Sequence, residues 1–187
     1  MNQLKHIIEK CISQDRLAQQ QLYEYSYKHL STAVALYTKD QSEKDWIFNL
    51  GMLKVFKSLE KYTTGTNYLG WARTILVRTA IDAFRKKKTE DIMAPLVHNE
   101  ADENLQELNA ALNAIETNEI IGIIQRLPEK ERIVFTMFEM DGYSHIDIER
   151  EVGIKKNTSK WLLSKARKSL KEIIINSPSL NHYFYGK

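Results

Sequence analysis

The sequence predicts an all-α protein built as two small helical domains joined by an acidic linker. Three observations predict it. Apolar residues recur at three- and four-residue spacing through two long blocks. Glycine and proline are scarce, seven and three in 187 residues, too few for the turns of an all-β fold. Between the blocks the charge becomes purely acidic, with no Lys or Arg from Thr89 to Glu119. The expected organisation is a first domain over residues 1–88, a linker over 89–114, a second domain over 115–176 and a tail over 177–187.

In the first block, Leu17, Leu22, Tyr23 and Leu30 mark one helix that continues through Ala33, Leu36 and Tyr37. Asp40 to Ser42 reads as a loop. Ile47, Leu50, Leu53 and Phe56 mark the next helix, and Thr63–Thr64–Gly65–Thr66–Asn67 breaks the pattern as a second loop. Leu69, Ala72, Ile75, Leu76, Ala80 and Phe84 mark a third helix that ends in the cations Arg85 to Lys88. Pro95 and its polar neighbours argue against helix in the linker, and Leu105, Leu108, Leu112 and Ile115 suggest that helix resumes.

The second block opens with Ile120, Ile121, Ile123, Ile124 and Leu127, a helix expected to end at Pro128. Pro128 with Glu129 and Glu131 starts the next helix, the acids lying near the positive end of its dipole. That helix carries Ile133, Val134, Met137 and Phe138 and stops at Asp141–Gly142. Ser144 then caps a short helix holding Ile146, Ile148 and Val152. Gly153–Ile154 forms a tight turn, and a longer helix runs from near Thr158 to Ile175. A short helix, a glycine turn and a longer basic helix make a helix-turn-helix pattern.

Composition narrows the function. The formal net charge of +3 says little by itself, because local patches rather than totals bind nucleic acid. Cys11 is the lone cysteine, so neither an intramolecular disulfide nor a cysteine-built metal site is expected. His6, His29, His98, His145 and His182 are scattered, and no nucleophile signature or phosphate-binding glycine loop stands out. No enzyme activity, metal or cofactor is expected. Met1 to Lys10 lacks a signal peptide's apolar core and no run is long enough to cross a bilayer, so the expectation is a cytoplasmic protein without membrane insertion.

Two basic helices point to nucleic acid. Lys155, Lys156, Lys160, Lys165, Arg167, Lys168 and Lys171 fall on the last long helix with no acid among them. Clustered cations gain free energy by displacing counterions from phosphates. Lys160, Trp161, Ser164 and Lys165 share one face, while Leu163, Ala166 and Leu170 should pack inward. The competing reading is a solvated basic surface helix. In the first block, Arg73, Arg78 and Arg85 to Lys88 lie near Tyr62, Tyr68 and Trp71, a mixture suited to unpaired bases. Trp71 suits the core at least as well.

These residues resemble the extracytoplasmic-function sigma factors, the small two-domain members of the sigma-70 family, most of all the branch common in Bacteroidetes. Asp15–Arg16–Leu17–Ala18 with Leu22–Tyr23–Glu24 resembles the first region-two helix, and Lys54 to Tyr62 the end of the core-binding helix. Gly70–Trp71, Thr79 to Asp82 and Arg85–Lys86 resemble the helix that melts and reads the minus-ten element. Leu127–Pro128–Glu129 with Arg132, Gly142 to His145, Asn157 to Lys160 and Ala166 to Lys168 resemble region four.

The resemblance implies a protein that binds core RNA polymerase through its β′ and β subunits, recognises promoter DNA and helps melt it. It implies polymerase contacts by Asp45, Asn49, Met52, Leu53 and Phe56. Minus-ten contacts would come from Tyr62, Asn67, Tyr68, Trp71, Arg73, Thr74, Arg78 and Arg85. Minus-thirty-five contacts would come from Thr158, Ser159, Lys160, Trp161, Ser164, Lys165, Arg167 and Lys168. An anti-sigma factor is a further implied partner. Five positions depart from the family pattern. Trp46 and Leu50 stand where acids are usual, Arg78 stands for an Asn, Glu149 for an Ala and Trp161 for a Ser. Trp46, Leu50, Arg78 and Trp161 motivate an alternative: a sigma-derived regulator or adaptor with relaxed promoter recognition, brought to DNA by a separate targeting partner, which could be RNA-guided.

Overall fold

In a computed structural model, residues 2–63, 65–90 and 117–177 are described, and among them every regular element is helical. The chain divides into two compact units, Met1–Phe84 and Arg85–Lys187.

In the first unit, α1 (Asn2–Ile12) buries Ile8 and Cys11. Burial pushes the Cys11 thiol up to about 11, so it stays protonated as a core group. The chain reverses at Gln14, whose φ of 67° is left-handed. Asp15 then caps α2 (Arg16–Ala35), its carboxylate accepting the Ala18 N–H at 2.9 Å. α2 turns Ala18, Leu22, Ser26, Leu30 and Val34 inward, while Leu17 is 64% exposed.

The expected loop at 40–42 is instead a cap and a first turn. Asp40 accepts the Glu43 N–H at 2.7 Å, and α3 (Gln41–Ser58) starts directly after it. Its buried stripe is also rotated from the expected one. Ile47, Phe48, Gly51, Met52 and Val55 face in, whereas Leu53 is 50% exposed and Leu50 and Phe56 are half-buried. The cause is Gly51. A Cβ there would lie 2.5 Å from Leu76 Cδ2, so the bare glycine face is the one on which the next helix seats. After a single 3₁₀ turn at Leu59–Lys61, α4 (Tyr68–Glu90) buries Tyr68, Ala72, Leu76, Val77, Ala80, Ile81 and Phe84. Thr89 and Glu90, expected in the linker, still belong to this helix. The rest of the expected linker, with the helix expected to resume there up to Glu116, lies outside the described residues, as do tail residues 178–187.

In the second unit, α5 (Thr117–Ile124) stops short of the expected Pro128, and Leu127 closes a turn onto the Ile124 carbonyl at 3.1 Å. The buried Arg132 guanidinium donates to the Leu127 carbonyl at 3.3 Å and ties this turn to α6 (Glu129–Phe135). From Thr136 to Met140 the helix widens, the Asp141 N–H reaching the Thr136 carbonyl at 3.1 Å, and Gly142 ends it with φ 73°. α7 (His145–Val152) and α8 (Lys156–Ile175) follow. Leu127, Ile133, Met137, Ile148, Ala166 and Leu170 are fully enclosed between these helices. Each large aliphatic side chain so buried contributes about 1.5–3 kcal/mol. Among the described residues no helix is long and apolar enough to cross a membrane.

Candidate nucleic-acid interface

The helix-turn-helix is held by local chemistry. The Ser144 hydroxyl accepts the Asp147 N–H at 3.2 Å, and the Asp147 carboxylate accepts the Ser144 N–H at 3.0 Å, a reciprocal capping box. The Ser144 hydroxyl also donates to the Asp147 carboxylate at 2.6 Å, and this bond with that of the Ser144 N–H holds the Asp147 carboxyl below its usual 3.8. Gly153 ends α7 with φ 63°, left-handed backbone that a side chain would strain. The Glu149 carboxylate then accepts the Lys156 N–H at 3.1 Å, closing the first turn of α8 from the preceding helix.

α8 has two faces. Ser159, Leu162, Leu163, Ala166, Leu170 and Ile174 are buried, as the spacing of Leu163, Ala166 and Leu170 predicts. Ser159 corrects the sequence reading. It is fully buried and its hydroxyl lies 2.9 Å from His145 Nδ1, so its side chain ties the two helices together rather than facing DNA. Its place was legible in the apolar series 159, 162, 163, 166 and 170, which makes one helical face. Lys160, Lys165 and Lys168 are exposed on the outer side, with Thr158, Trp161 and Ser164 half-buried beside them.

Two of the outer cations are held by acids of the same unit. Lys165 Nζ lies 2.8 Å from Glu131, whose side chain is 3% exposed, and 5.2 Å over the Trp161 ring. Arg167 Nε donates to Glu139 at 3.0 Å while its guanidinium lies over Phe138. Phe138 in turn stacks on His145 at 4.5 Å. Burial first, then the cations of Lys160, Arg167 and Lys156, push the His145 pKa below its usual 6.5.

In the first unit, Tyr62, Tyr68 and Trp71 pack as an aromatic layer, with Tyr62 5.0 Å from Trp71 and 5.9 Å from Tyr68. Tyr62 and Tyr68 correct the expectation that they meet DNA, because both rings are buried. The Tyr62 hydroxyl donates to the Thr66 carbonyl at 2.5 Å, and the Tyr68 hydroxyl lies 2.8 Å from Ser26. Burial raises Tyr68 to about 12. The Tyr62 hydrogen bond fastens the turn at Thr66 to the core. Asn67 is exposed but already engaged, its side-chain carbonyl accepting the Gly70 N–H at 3.1 Å. Trp71 is half-buried. Thr74, Arg78 and Arg85 are exposed and, with Trp71, follow one line along α4. Arg73 is half-buried and lies about a third of a turn from that line. Asp82 lies 3.7 Å from Lys54 of α3, a cross-helix ion pair.

The expected polymerase-binding residues divide similarly. Asp45 accepts from Gln41 at 3.0 Å and from Tyr27 at 3.4 Å, and Asn49 accepts from the Tyr23 hydroxyl at 2.7 Å. Leu53 is exposed and Phe56 is half-buried. Met52 is 1% exposed and belongs to the core, a correction that follows from the rotation of α3. Trp46, left out of the expected contacts, is 55% exposed one turn from Leu50.

Comparison with known proteins matches both units. The family description "Sigma-70 region 2" fits residues 22–90, and "Sigma-70, region 4" fits residues 117–170. The chain carries sigma-70 regions 2 and 4. Its two sigma regions occur in the family's order and together span well over half of the sequence. It is similar to RNA polymerase sigma factor SigZ of Bacillus subtilis (strain 168), 26% identical over 153 residues, 82% of this chain and 85% of that one. It is also similar to ECF RNA polymerase sigma factor SigM of Mycobacterium tuberculosis, 25% identical over 165 residues, 87% of this chain and 80% of that one. These relatives support an extracytoplasmic-function sigma factor of transcription initiation. Among solved structures, the sigma factor RpoE in complex with the anti-sigma factor NepR from Bartonella quintana matches with a TM-score of 0.41. That match has 18% identity and covers 84% of this chain and 97% of that one.

Proposed function

We propose that this sigma-family protein binds core RNA polymerase, reads a two-part promoter and assists its melting, acting by binding rather than by catalysis. The observation that carries the reading is the occurrence of sigma regions 2 and 4 in one chain, the second built on a capped helix-turn-helix with a basic outer face. α8 is the reader of the upstream duplex element, through Thr158, Lys160, Trp161 and Ser164, with Lys168 on a phosphate. Lys165 and Arg167 contribute mainly by fixing the helix, since Glu131 and Glu139 hold them.

Residues 65–67 and the line Trp71, Thr74, Arg78 and Arg85 along α4 form the surface for the melted downstream element. Unstacking a base costs a few kcal/mol. Contacts to the separated strand supply that free energy, so no nucleotide hydrolysis is required. α3 is the polymerase-docking helix, with Asp45, Asn49, Leu53 and Phe56 on or near its surface. Trp46 and Leu50 stand where the family usually places acids, which makes this docking surface more apolar than the family pattern. An anti-sigma factor that covers these surfaces, membership of the branch common in Bacteroidetes and action in the cytoplasm belong to the same reading.

The test is transcription in vitro with core polymerase of the source organism, with and without the protein, on a genomic promoter library. Discrete new start sites sharing two spaced elements are expected. Polymerase binding without shared elements would shift the reading towards an adaptor that needs a separate targeting partner. Absence of polymerase binding would refute the proposal.

A further inference from the structure

α8 is the most basic element of the second unit, yet much of its positive character is answered from inside the protein. Glu131, 3% exposed in its side chain, holds Lys165 at 2.8 Å. Glu139 holds Arg167 through Nε at 3.0 Å. Glu149 puts its carboxylate on the Lys156 N–H at 3.1 Å, at the end of α8 where unpaired N–H groups and the helix dipole favour an anion. The three acids come from three different elements: α6, the widened turn after it, and α7. Only the Glu149 contact is exposed, and only it meets backbone rather than a side chain.

We infer that Glu149 determines how tightly this unit holds duplex DNA, acting as an internal counterion that keeps a DNA phosphate away from the first turn of α8. The inference rests on the reading of α8 as the duplex-facing helix. Where DNA phosphates approach that turn, they meet a carboxylate already bonded to it, and like charges repel. Duplex affinity then comes from cations on and beside α8 that no acid among the described residues holds, such as Lys155, Lys160 and Lys168. The side-chain charge of Lys156 is also exposed, but its backbone donor is taken.

The test is fluorescence anisotropy of the full chain with an end-labelled, mixed-sequence duplex, titrated at several salt concentrations. Glu149→Ala is expected to bind about two- to fivefold more tightly at low salt. The slope of log affinity against log salt should steepen by up to about 0.9, one added phosphate contact. Glu149→Gln removes the charge with the least structural change and is expected to move affinity in the same direction. Glu151→Ala removes an equal charge from the same helix, where the carboxylate pairs with Arg150 at 3.2 Å. It serves as the control. A gain at Glu149 that exceeds the gain at Glu151 supports the inference. Equal gains reduce the effect to net charge and overturn it, as does a wild-type slope unchanged in Glu149→Ala. If neither the wild type nor any variant binds duplex at any salt, the duplex-reading role of α8 fails as well, an outcome distinct from a bound wild type that ignores Glu149.

Discussion

Lys165 illustrates how one residue can look like a DNA contact and serve the fold. Its neighbour Glu131 is almost wholly buried, and a buried carboxylate without a cation is costly. Lys165→Ala is therefore expected to destabilise the second unit by about 1–3 kcal/mol, discounted because the lysine itself is half-exposed. Urea unfolding in the absence of DNA measures it, and unchanged stability would return Lys165 to the role of a free DNA contact. His145 makes a second prediction at this scale. Its folded pKa lies below 6.5, through burial first and then Lys160, Arg167 and Lys156. The unfolded chain thus takes up this proton more readily than the folded one. The stability it supports is complete above 6.5 and is lost as the pH falls from there towards the lower folded value. Unfolding followed across that window should show weakening at the acid end, and His145→Asn should flatten the profile. An equally steep profile in the variant would place the proton elsewhere.

At the scale of elements, Gly51 decides how α3 meets α4. Leu76 is fully buried and cannot swing into solvent, and a Cβ at Gly51 would sit 2.5 Å from its Cδ2. Gly51→Ala is expected to cost about 1–3 kcal/mol despite alanine's better helix propensity. A rise in thermal midpoint would show that the helices can part at no cost. This contact also explains why the stripe on α3 was misread. The periodic set Ile47, Leu50, Leu53 and Phe56 is a plausible apolar face, but helix spacing alone does not say which of two overlapping faces a neighbour covers. The helix-turn-helix was more legible, since Ser144, Gly153 and the inward series Leu163, Ala166 and Leu170 are local signals with local causes. Asp40 was misjudged as loop because a polar cap and a polar loop have the same composition.

For the whole molecule, the net charge of +3 understates what each surface offers. Lys160 is exposed on the outer side of α8. Lys160→Ala is expected to lower the salt slope of duplex binding by about 0.9. An unchanged slope would remove that lysine from the phosphate contacts. On α3 the exposed Leu53 belongs to a surface enriched in apolar groups by Trp46. Leu53→Asp is expected to weaken association with core polymerase about tenfold while leaving thermal stability unchanged, because an exposed side chain contributes to a partner and little to the core. Surface plasmon resonance against immobilised core enzyme, beside a melting curve, separates the two effects.

By itself the sequence determined the helical class, the order of the helices after α1, the capped helix-turn-helix and the resemblance to sigma factors, which the family comparison supports. Those features depend on spacing, capping and turn chemistry, which act over a few residues and are written along the chain. Only the tertiary structure decided that Met52, Tyr62 and Tyr68 face inward. It likewise decided that Glu131 and Glu139 hold cations of α8, and that Glu149 caps that helix. Each of these depends on which face of one helix another covers. That is set by side-chain packing between segments well separated in sequence, and helical periodicity does not encode it.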